Sequence, residues 1–337
     1  MPSVHLLNVS PGDCTIIRHY SGRTTMIDIC DGNIDEAEAR NKASFAEALG
    51  LRPRGNRQMC GFPTNPIRYS QNIGIGGIFR FILTHPDMDH LDGFDALVDE
   101  FSISNFWDTG IRKDKPDFGE GCPYREEDWD RYSEVQDGNE AGVTSCIRQA
   151  GSNFVFANKT EDGQPGGDGL HILAPDSQLV KDANEEDGDI HDGSYVILYR
   201  SVGGRVLLPG DAHDNTWDYV INKYASDVAN CSFMLAPHHG RDSGRSYDFL
   251  DHVRPIVTLI GCAPSEHIDY DQWRRRDLEF ITSNQTGNVV LEIFKGQIDV
   301  YVENESFAEA KGCNTSVKNS QGYVFLYSIK ETAEQKT

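Results

Sequence analysis

One stretch of the chain, residues 84–93, limits what this sequence can fold into more than any other. It reads Thr-His-Pro-Asp-Met-Asp-His-Leu-Asp-Gly and follows the apolar run Ile78–Leu83, which is typical of a buried strand. It holds four side chains that can bind metal ions: His85, Asp87, Asp89 and His90. Apolar residues then recur at helical spacing from Leu91 to Phe101, which predicts an amphipathic helix after the cluster.

Two interpretations of this cluster are open. Alternate residues of an extended segment point the same way, so His85 and Asp87 can face one metal ion. Asp89 and His90, which lie beyond the bend, can then face a second ion. The alternative is a solvated acidic turn with ordinary surface or capping histidines, because short motifs of this kind also occur by chance.

Two later segments favour the metal site. An apolar strand beginning near Arg205 ends at Gly210-Asp211, although Gly-Asp is also common in hairpin turns. A second apolar run ends at His238-His239-Gly240. Neighbouring residues of a strand face opposite sides, so two adjacent histidines do not both fit a core. One of the two can bind metal while the other reaches the substrate.

In this order, and each after an apolar strand, the patterns His-x-[His/Asp]-x-Asp-His, Gly-Asp and His-His-Gly resemble the metallo-β-lactamase superfamily. More narrowly, the chain resembles the branch that contains the hydrolase domain of the competence protein ComEC and the bacterial phosphorylcholine esterases. Further matching segments are Leu6–Cys14, Thr25–Asp28 and Asp192–Leu198. The resemblance implies an α/β fold, the αββα sandwich of this superfamily with insertions, and a dinuclear metal site at the strand ends.

The resemblance also implies which residues bind the two ions. His85 and Asp87 would belong to the first site, and Asp89 and His90 to the second. Asp211 would bridge both ions.

Three histidines complete the implied site. His239 would close the second site and is preferred to His238 as the ligand. His238 would then lie near the scissile group, where it or a water could protonate the leaving group. His191 is a candidate third ligand of the first site, and the alternative is an ordinary loop histidine. Asp89 would also orient the water that attacks.

Asp87 departs from the commonest pattern of the superfamily, in which a histidine is usual at this position. A carboxylate makes the site richer in oxygen, which suits manganese or magnesium better than a histidine-rich site would. Zinc is also compatible with the ligands, so the sequence leaves the metal open. Two bound divalent ions would lower the pKa of water toward neutrality and stabilise negative charge on the attacked group.

Length and strand distribution indicate one domain with insertions. The predicted hydrolase domain covers residues 1–306, with insertions at about 31–65 and 111–168. Residues 307–337 are predicted to be a C-terminal extension that ends in a flexible tail. The acidic insertions are candidates for lids or for the surface that binds a partner protein. The alternative is a poorly ordered chain, notably at Glu161–Gly169 and Asp182–Asp189.

The chain has no apolar run of transmembrane length and no signal-peptide pattern, which predicts a cytoplasmic protein with no membrane association. Its eight cysteines show neither CxxC pairs nor regular spacing. Several of them lie in apolar segments, where a thiol behaves as a small buried hydrophobe. We therefore expect free thiols in a reducing compartment and no disulfide framework.

The net charge of −22 argues against a simple nuclease, because proteins that bind nucleic acids normally present a basic surface. Screening limits the field of the whole chain to about 8 Å at physiological salt, so a local basic groove would still serve. Arg241 and Arg245 follow the histidine pair and are candidate substrate-binding residues. The run Arg274–Arg276 is more typical of a solvated surface.

Three functions are compatible with the sequence. The first is a metal-dependent hydrolase that acts on phosphodiester bonds, in a nucleic acid, a nucleotide or a smaller phosphorylated substrate. The second is a hydrolase of a carbonyl bond, as in lactonases and lactamases, although the middle histidine motif of those enzymes is not recognisable here. The third is a catalytically silent scaffold that binds a partner protein through its acidic insertions.

Overall fold

The computed structural model describes residues 1–37, 59–263 and 267–330. Within these residues, the chain forms the following strands: β1 (Ser3–Leu6), β2 (Thr15–Arg18), β3 (Thr24–Ile27), β4 (Ile78–Ile82), β5 (Ile103–Asp108), β6 (Thr144–Ile147), β7 (Leu170–Ala174), β8 (Val196–Ser201), β9 (Gly204–Leu208), β10 (Phe233–Leu235), β11 (Val257–Ile260), β12 (Phe280–Thr282), β13 (Val289–Phe294), β14 (Gln297–Val302) and β15 (Val324–Lys330).

The helices of the same residues are α1 (Pro66–Asn72), α2 (Phe94–Glu100), α3 (Glu126–Gln136), α4 (Ser177–Ala183), α5 (Asp214–Val228), α6 (Phe249–Val253), α7 (Asp271–Arg274), α8 (Ser283–Thr286) and α9 (Glu305–Ala310). Three short 3-10 turns, Met88–His90, Ile190–Gly193 and Pro237–Gly240, lie in the loops that carry the predicted site.

The strands form two sheets. The larger has the order β15-β14-β13-β1-β2-β3-β4-β5-β6, and the smaller has the order β12-β11-β10-β9-β8-β7. From β15 to β3 the large sheet is antiparallel, and from β3 to β6 it is parallel. In the small sheet, β9 to β12 are parallel. Parallel strands end at the same edge of a sheet, so the loops after β3, β4, β9 and β10 can meet.

The two sheets pack face to face around an apolar core. Ile17, Ile82 and Trp107 of the large sheet and Ile197 and Leu208 of the small sheet belong to one buried cluster. Alternation along each strand then sends the next side chains to the outer face, where a helix must cover them.

Helices cover both outer faces. On the large sheet, Phe81 and Phe106 pack with Phe94 and Leu97 of α2 and with Trp129 of α3. On the small sheet, the outward side chains pack with α5, α6 and α7, whose buried members include Trp217, Leu250 and Trp273. The predicted αββα sandwich is therefore confirmed by the layers of this structure.

Local sequence signals set the boundaries of the helices near the site. The side chain of Asn65 accepts bonds from the amides of Ile67 and Arg68, and Pro66 occupies the first turn, so α1 begins there. Helix α2 begins after Gly93, which has φ of 100° and whose Cβ position lies 2.3 Å from Gly32 Cα. Only glycine fits both restrictions.

The predicted extension and insertions partly belong to the sheets. Strand β15 pairs with β14, and β6 pairs with β5 at the opposite edge of the large sheet. The domain boundary at residue 306 stays a prediction. Residues 38–58 of the first insertion and the tail 331–337 lie outside the described residues. No helix within the described part of the chain combines the length and the apolar character that a membrane span needs.

One cysteine pair differs from the expectation of free thiols. Cys60 and Cys262 form a disulfide that joins positions 202 residues apart, with 6.2 Å between their Cα atoms. The remaining cysteines are free, as expected. The expectation was wrong for this pair because sequence spacing carries no information about two loops that the fold brings together.

A pH-dependent prediction follows from His5, which lies in β1 and is 1% exposed. Its Nε2 pairs with Ser3 Oγ and its Nδ1 with the hydroxyl of Tyr69, both at 2.8 Å. Burial, and then the charge of Arg18, lower the pKa of His5 from 6.5 to about 3. Between these values only the unfolded chain holds a proton on His5, so this group promotes unfolding as the pH falls through that range.

We expect His5→Gln, which does not titrate, to lower the free energy of unfolding by about 1–3 kcal/mol at neutral pH. Below pH 6.5 the difference in free energy of unfolding between the parent and His5→Gln should decrease by up to about 1.4 kcal/mol per pH unit. Urea unfolding at several pH values measures both effects. The exposed His252→Gln, which exchanges the same residue types on α6, is the control. A gap that is independent of pH would contradict a neutral buried His5.

Candidate metal centre

The predicted ligands come from loops at one edge of the two sheets. The loop after β4 supplies four of them, and the 3-10 turn before β8 supplies His191. The loops after β9 and β10 supply Asp211 and the histidine pair. Strands of both sheets therefore end at the same place, and side chains far apart in sequence meet there.

The first group of candidate ligands is His85, Asp87 and His191. Asp87 Oδ2 lies 3.5 Å from His85 Nε2 and 3.3 Å from His191 Nε2. The second group is Asp89, His90 and His239. His239 Nε2 lies 3.6 Å from Asp89 Oδ2. Each group places three ligand atoms around one point, which is the arrangement that a bound cation requires.

Asp211 faces both groups. Its Oδ2 lies 3.8 Å from His85 Nε2, and its Oδ1 lies 3.4 Å from His90 Nε2. Its backbone amide is bonded to Ser194 Oγ at 3.2 Å. The preceding Gly210 has φ of 50°, and a Cβ there would lie 2.6 Å from Ser194 Oγ. The Gly-Asp pattern therefore exists because only glycine lets this loop approach Ser194 so closely.

Buried partners hold the other ring nitrogens of these histidines. Asp28 Oδ2 is 2.8 Å from His90 Nδ1, and Asp28 also accepts bonds from the amide and hydroxyl of Thr84. Thr84 Oγ1 is 3.1 Å from His85 Nδ1. These contacts orient each ring so that its Nε2 is turned toward the ligand groups.

Carboxylates also hold the other ring nitrogens of His239 and His191, a buried one for His239 and an exposed one for His191. Asp13 Oδ1 is 3.2 Å from His239 Nδ1, and Asp189 Oδ1 is 3.2 Å from His191 Nδ1. Carboxylates behind metal-binding imidazoles fix the tautomer and raise the basicity of the ligand nitrogen. All four histidines of the two groups thus present Nε2 toward the same small volume.

Several buried ligand atoms have no hydrogen-bond partner among the described residues. These are Nε2 of His85, His90 and His239 and Oδ1 of Asp211. An unpaired buried polar atom costs free energy, and four of them around one point are rarely tolerated without a reason. Two divalent cations would satisfy all of them, so the residues present fit a dinuclear metal centre.

The pKa values of the cluster also fit a metal centre. Burial alone would raise the pKa of Asp211, but the charges of His90 and His239 outweigh burial and hold it well below its usual value. Burial opposes the charge on His239, yet the carboxylates of Asp13 and Asp211 raise its pKa to about 10. Protons on these histidines occupy the place of a metal, so metal binding is expected to release protons.

His238 is set differently from His239. Its side chain is 15% exposed, and its Nε2 lies 3.5 Å from Asp211 Oδ2. Its Nδ1 accepts a bond from Arg245 Nη2 at 3.0 Å. Burial, followed by the charges of His239 and Arg245 against that of Asp211, lowers the pKa of His238 to about 3. A neutral ring whose Nδ1 accepts a bond carries its hydrogen on Nε2, the atom that faces the site.

Both histidines of the pair have left-handed backbone conformations, with φ of 50° at His238 and 56° at His239. Such φ values are uncommon outside glycine and cost about 1–3 kcal/mol each when the surroundings enforce them. The strain turns two consecutive side chains toward one volume, which an extended strand would not allow.

The two predicted substrate-binding arginines differ in position. Arg245 is 5% exposed and donates to the carbonyl of Ala212 and to His238, so its guanidinium lies behind the histidine. Arg241 is half-buried, and its backbone amide donates to the His238 carbonyl at 2.9 Å. Contact of either residue with a substrate stays a prediction. The exposed Arg274 pairs with Asp271, as expected for a solvated surface. For Arg276 that expectation was wrong, because its side chain is only 8% exposed and pairs with Asp248 and Asp251.

A separate cluster beside the site consists of Cys30, Asp31 and Asp92. Its carboxylates already accept bonds from the amides of Ser10 and Asp31 and from Asn33. Burial, and then the charge of Asp31, raise the pKa of the Cys30 thiol well above its usual value. Because the carboxylates of Asp31 and Asp92 already accept hydrogen bonds from within the protein, we interpret this cluster as structural.

Sequence reasoning did not single out Asp13, Asp28, Thr84, Asp189 or Lys113. For Asp28 a signal was present, because it directly follows strand β3, much as Asp211 follows β9 within a few residues. Asp13 follows a glycine in the same way. For Lys113, whose ammonium lies 2.6 Å from Asp87 Oδ1, no local signal exists, since it lies in a polar loop.

No protein-family model matches this chain, and no curated protein matches it. Solved structures that resemble it include Tm1679, a metal-dependent hydrolase of the β-lactamase superfamily. The TM-score is 0.45 at 13% identity, and the match covers 84% of this chain and 96% of Tm1679. Igni18, a metallo hydrolase from the archaeon Ignicoccus hospitalis, gives 0.45 at 14% identity, with coverage of 87% and 100%.

A diphosphatase of the PhnP family is similar at 11% identity and a TM-score of 0.43, with coverage of 87% of this chain and 98% of that one. Likeness at this level says nothing about the substrate that this chain takes. The αββα arrangement rests on the strand pairing and packing described above. The narrower resemblance to ComEC and the phosphorylcholine esterases stays a prediction.

Proposed function

We propose that this protein is a hydrolase with two divalent metal ions that acts on phosphoric ester bonds, and on phosphodiesters in particular. One observation carries the proposal: His85, Asp87 and His191 form one ligand group, Asp89, His90 and His239 form a second, and Asp211 faces both. A pair of divalent ions lowers the pKa of water toward neutrality and neutralises charge on the attacked and leaving oxygens.

The ligand types favour phosphoryl chemistry. Asp87, Asp89 and Asp211 give the centre three carboxylates, and oxygen-rich sites suit harder ions such as manganese and magnesium. Such ions bind phosphate oxygens well. Zinc remains compatible with the four histidines, so the metal is to be decided by reconstitution.

The side chains around the ions have separate tasks in this proposal. Asp89 and Asp87, each 21% exposed in its side chain, lie on the open side of the cluster, where a substrate must enter. Asp89 orients the attacking water. Neutral His238 presents its Nε2–H to the site and donates a hydrogen bond to an oxygen of the phosphoryl group, while Arg245 holds the ring from behind. A water then protonates the leaving oxygen.

The test is reconstitution of activity. Protein stripped by a chelator is supplied in parallel with Mn²⁺, Mg²⁺ or Zn²⁺ and assayed on an aryl phosphodiester and on a simple lactone. We expect metal-dependent cleavage of the phosphodiester that falls about 10³-fold in Asp89→Ala, which corresponds to about 4 kcal/mol of lost transition-state stabilisation.

The control is Asp99→Ala, which removes an exposed carboxylate on α2 and should keep the parent rate. Cleavage of the lactone alone would replace the proposal with hydrolysis of a carbonyl bond. Tight binding of two ions without cleavage of either probe would contradict a general phosphodiesterase, and failure to bind metal would contradict the metal centre itself.

A further inference from the structure

A lysine from the loop between β5 and α3 contacts one of the candidate metal ligands. Lys113 Nζ is 2.6 Å from Asp87 Oδ1, and the two side chains are 32% and 21% exposed. Lys113 belongs to the insertion predicted at residues 111–168. Its contact with Asp87 therefore joins an insertion to the first ligand group.

The contact divides the two oxygens of the Asp87 carboxylate between different partners. Oδ1 pairs with the ammonium of Lys113, while Oδ2 is turned toward His85 Nε2 and His191 Nε2. A free carboxylate can bind a cation through one oxygen or through both. With Oδ1 held, Asp87 offers a single atom to the metal, as an imidazole would.

The ammonium of Lys113 also offsets the negative charge that Asp87 adds to the centre. Two divalent ions facing the carboxylates of Asp87, Asp89 and Asp211 leave one net positive charge. A histidine in place of Asp87 would leave two positive charges, and the ammonium of Lys113 supplies the difference. With Lys113 present, the centre has the same net positive charge as one with histidine at position 87. Stabilisation of an anionic transition state depends on that charge.

Apolar packing and hydrogen bonds both hold the loop that carries Lys113. Ile111 is 1% exposed and packs with Val180 and Ala183. The amide of Arg112 donates to Asn184 Oδ1 at 2.7 Å, and Asn184 Nδ2 donates to the carbonyl of Gly110 at 3.0 Å. The backbone on the N-terminal side of Lys113 is therefore fixed before any metal or substrate binds, which lowers the entropy cost of placing the ammonium.

We propose that Lys113 is a positioning residue for the metal ligand Asp87. It accompanies the carboxylate at position 87, where the superfamily pattern usually has a histidine. The inference rests on the proposed metal centre but not on the substrate. It predicts that the lysine matters only while position 87 is a carboxylate.

The experiment measures Mn²⁺ binding to the full chain, without substrate, by competition with a chelator that reports free metal. We expect Lys113→Met to weaken one of the two bound ions by about 10–100-fold and to leave the other within about twofold. Lys113→Arg, which keeps the charge, should retain most of the affinity. The matched control is Lys115→Met, because Lys115 pairs with Glu126 and Asp130 away from the ligands.

A double-mutant cycle separates positioning from a general effect of charge. In the Asp87→His background, Lys113→Met should cost nothing or should strengthen binding, because an ammonium beside an imidazole ligand has no carboxylate to hold. An equal loss in both backgrounds, equal weakening of both ions, or the same affinity in Lys113→Met and Lys115→Met would overturn the inference. If the parent binds two ions and the cycle behaves as expected but no phosphodiester is cleaved, only the proposed function fails.

Discussion

Replacement of Asp211 by asparagine is expected to weaken both metal ions at once and to lower phosphodiester hydrolysis by at least about 10³-fold. Asparagine has nearly the same shape but no charge, and its amide group is a poor ligand beside a carboxylate. Asp211 is 1% exposed and lies between the two ligand groups, with His85 on one side and His90 on the other. Neither ion would keep its complete set of ligands.

The comparison with single-group variants makes this prediction specific. Asp87→Ala should weaken only the ion held with His85 and His191, and Asp89→Ala only the ion held with His90 and His239. Metal titrations of the three variants, together with rates at saturating Mn²⁺, distinguish a shared ligand from a ligand of one site. Retention of one tightly bound ion in Asp211→Asn would show that Asp211 belongs to a single group.

Part of the site was predictable because its residues follow strands within a few positions. The apolar run before residue 84 is strand β4. His85 and Asp87 follow it in the loop, and Asp89 and His90 lie in the 3-10 turn Met88–His90. Gly210 and Asp211 likewise follow β9, and the histidine pair follows β10. Such patterns are local, so a sequence displays them directly. For His191 the sequence left two interpretations open, and its position beside Asp87 became visible only with the fold.

The rest depends on contacts between distant parts of the chain. The contact between Asp13 and His239 joins positions 226 residues apart. Asp28 and His90 are also in contact, and they follow the neighbouring strands β3 and β4. The disulfide between Cys60 and Cys262 spans 202 residues. No periodicity or spacing encodes these pairs, since each depends on which strands the fold places side by side or opposite one another. The same is true of the contact between Lys113 and Asp87, which depends on where an insertion passes the site.

The second large effect concerns stability and lies far from the metal centre. Arg80 on β4 and Asp168 before β7 form an ion pair of 2.9 Å, with side chains that are 1% and 0% exposed. Asp168 also accepts bonds from Arg23 and Ser21, and Arg80 donates to Thr25 and to the carbonyl of Phe156. The network ties the end of the second insertion to β3 and β4.

We expect Asp168→Asn to lower the free energy of unfolding by about 3–5 kcal/mol, because it leaves the charge of Arg80 buried without its counter-ion. Denaturant unfolding of metal-free protein measures this loss without interference from the site. Asp162→Asn, which changes an exposed carboxylate of the same insertion, is the control and should leave unfolding unchanged.

The decisive comparison is the double variant Arg80→Met/Asp168→Asn. When both charges are absent, no unpaired ion remains in the interior, so the double variant should lose clearly less stability than the two single losses added together. A coupling energy of about 1–3 kcal/mol between the two positions would identify the buried pair as the cause. Strictly additive losses would instead assign the cost to packing around Trp107 and Phe79, over whose rings the Arg80 guanidinium lies.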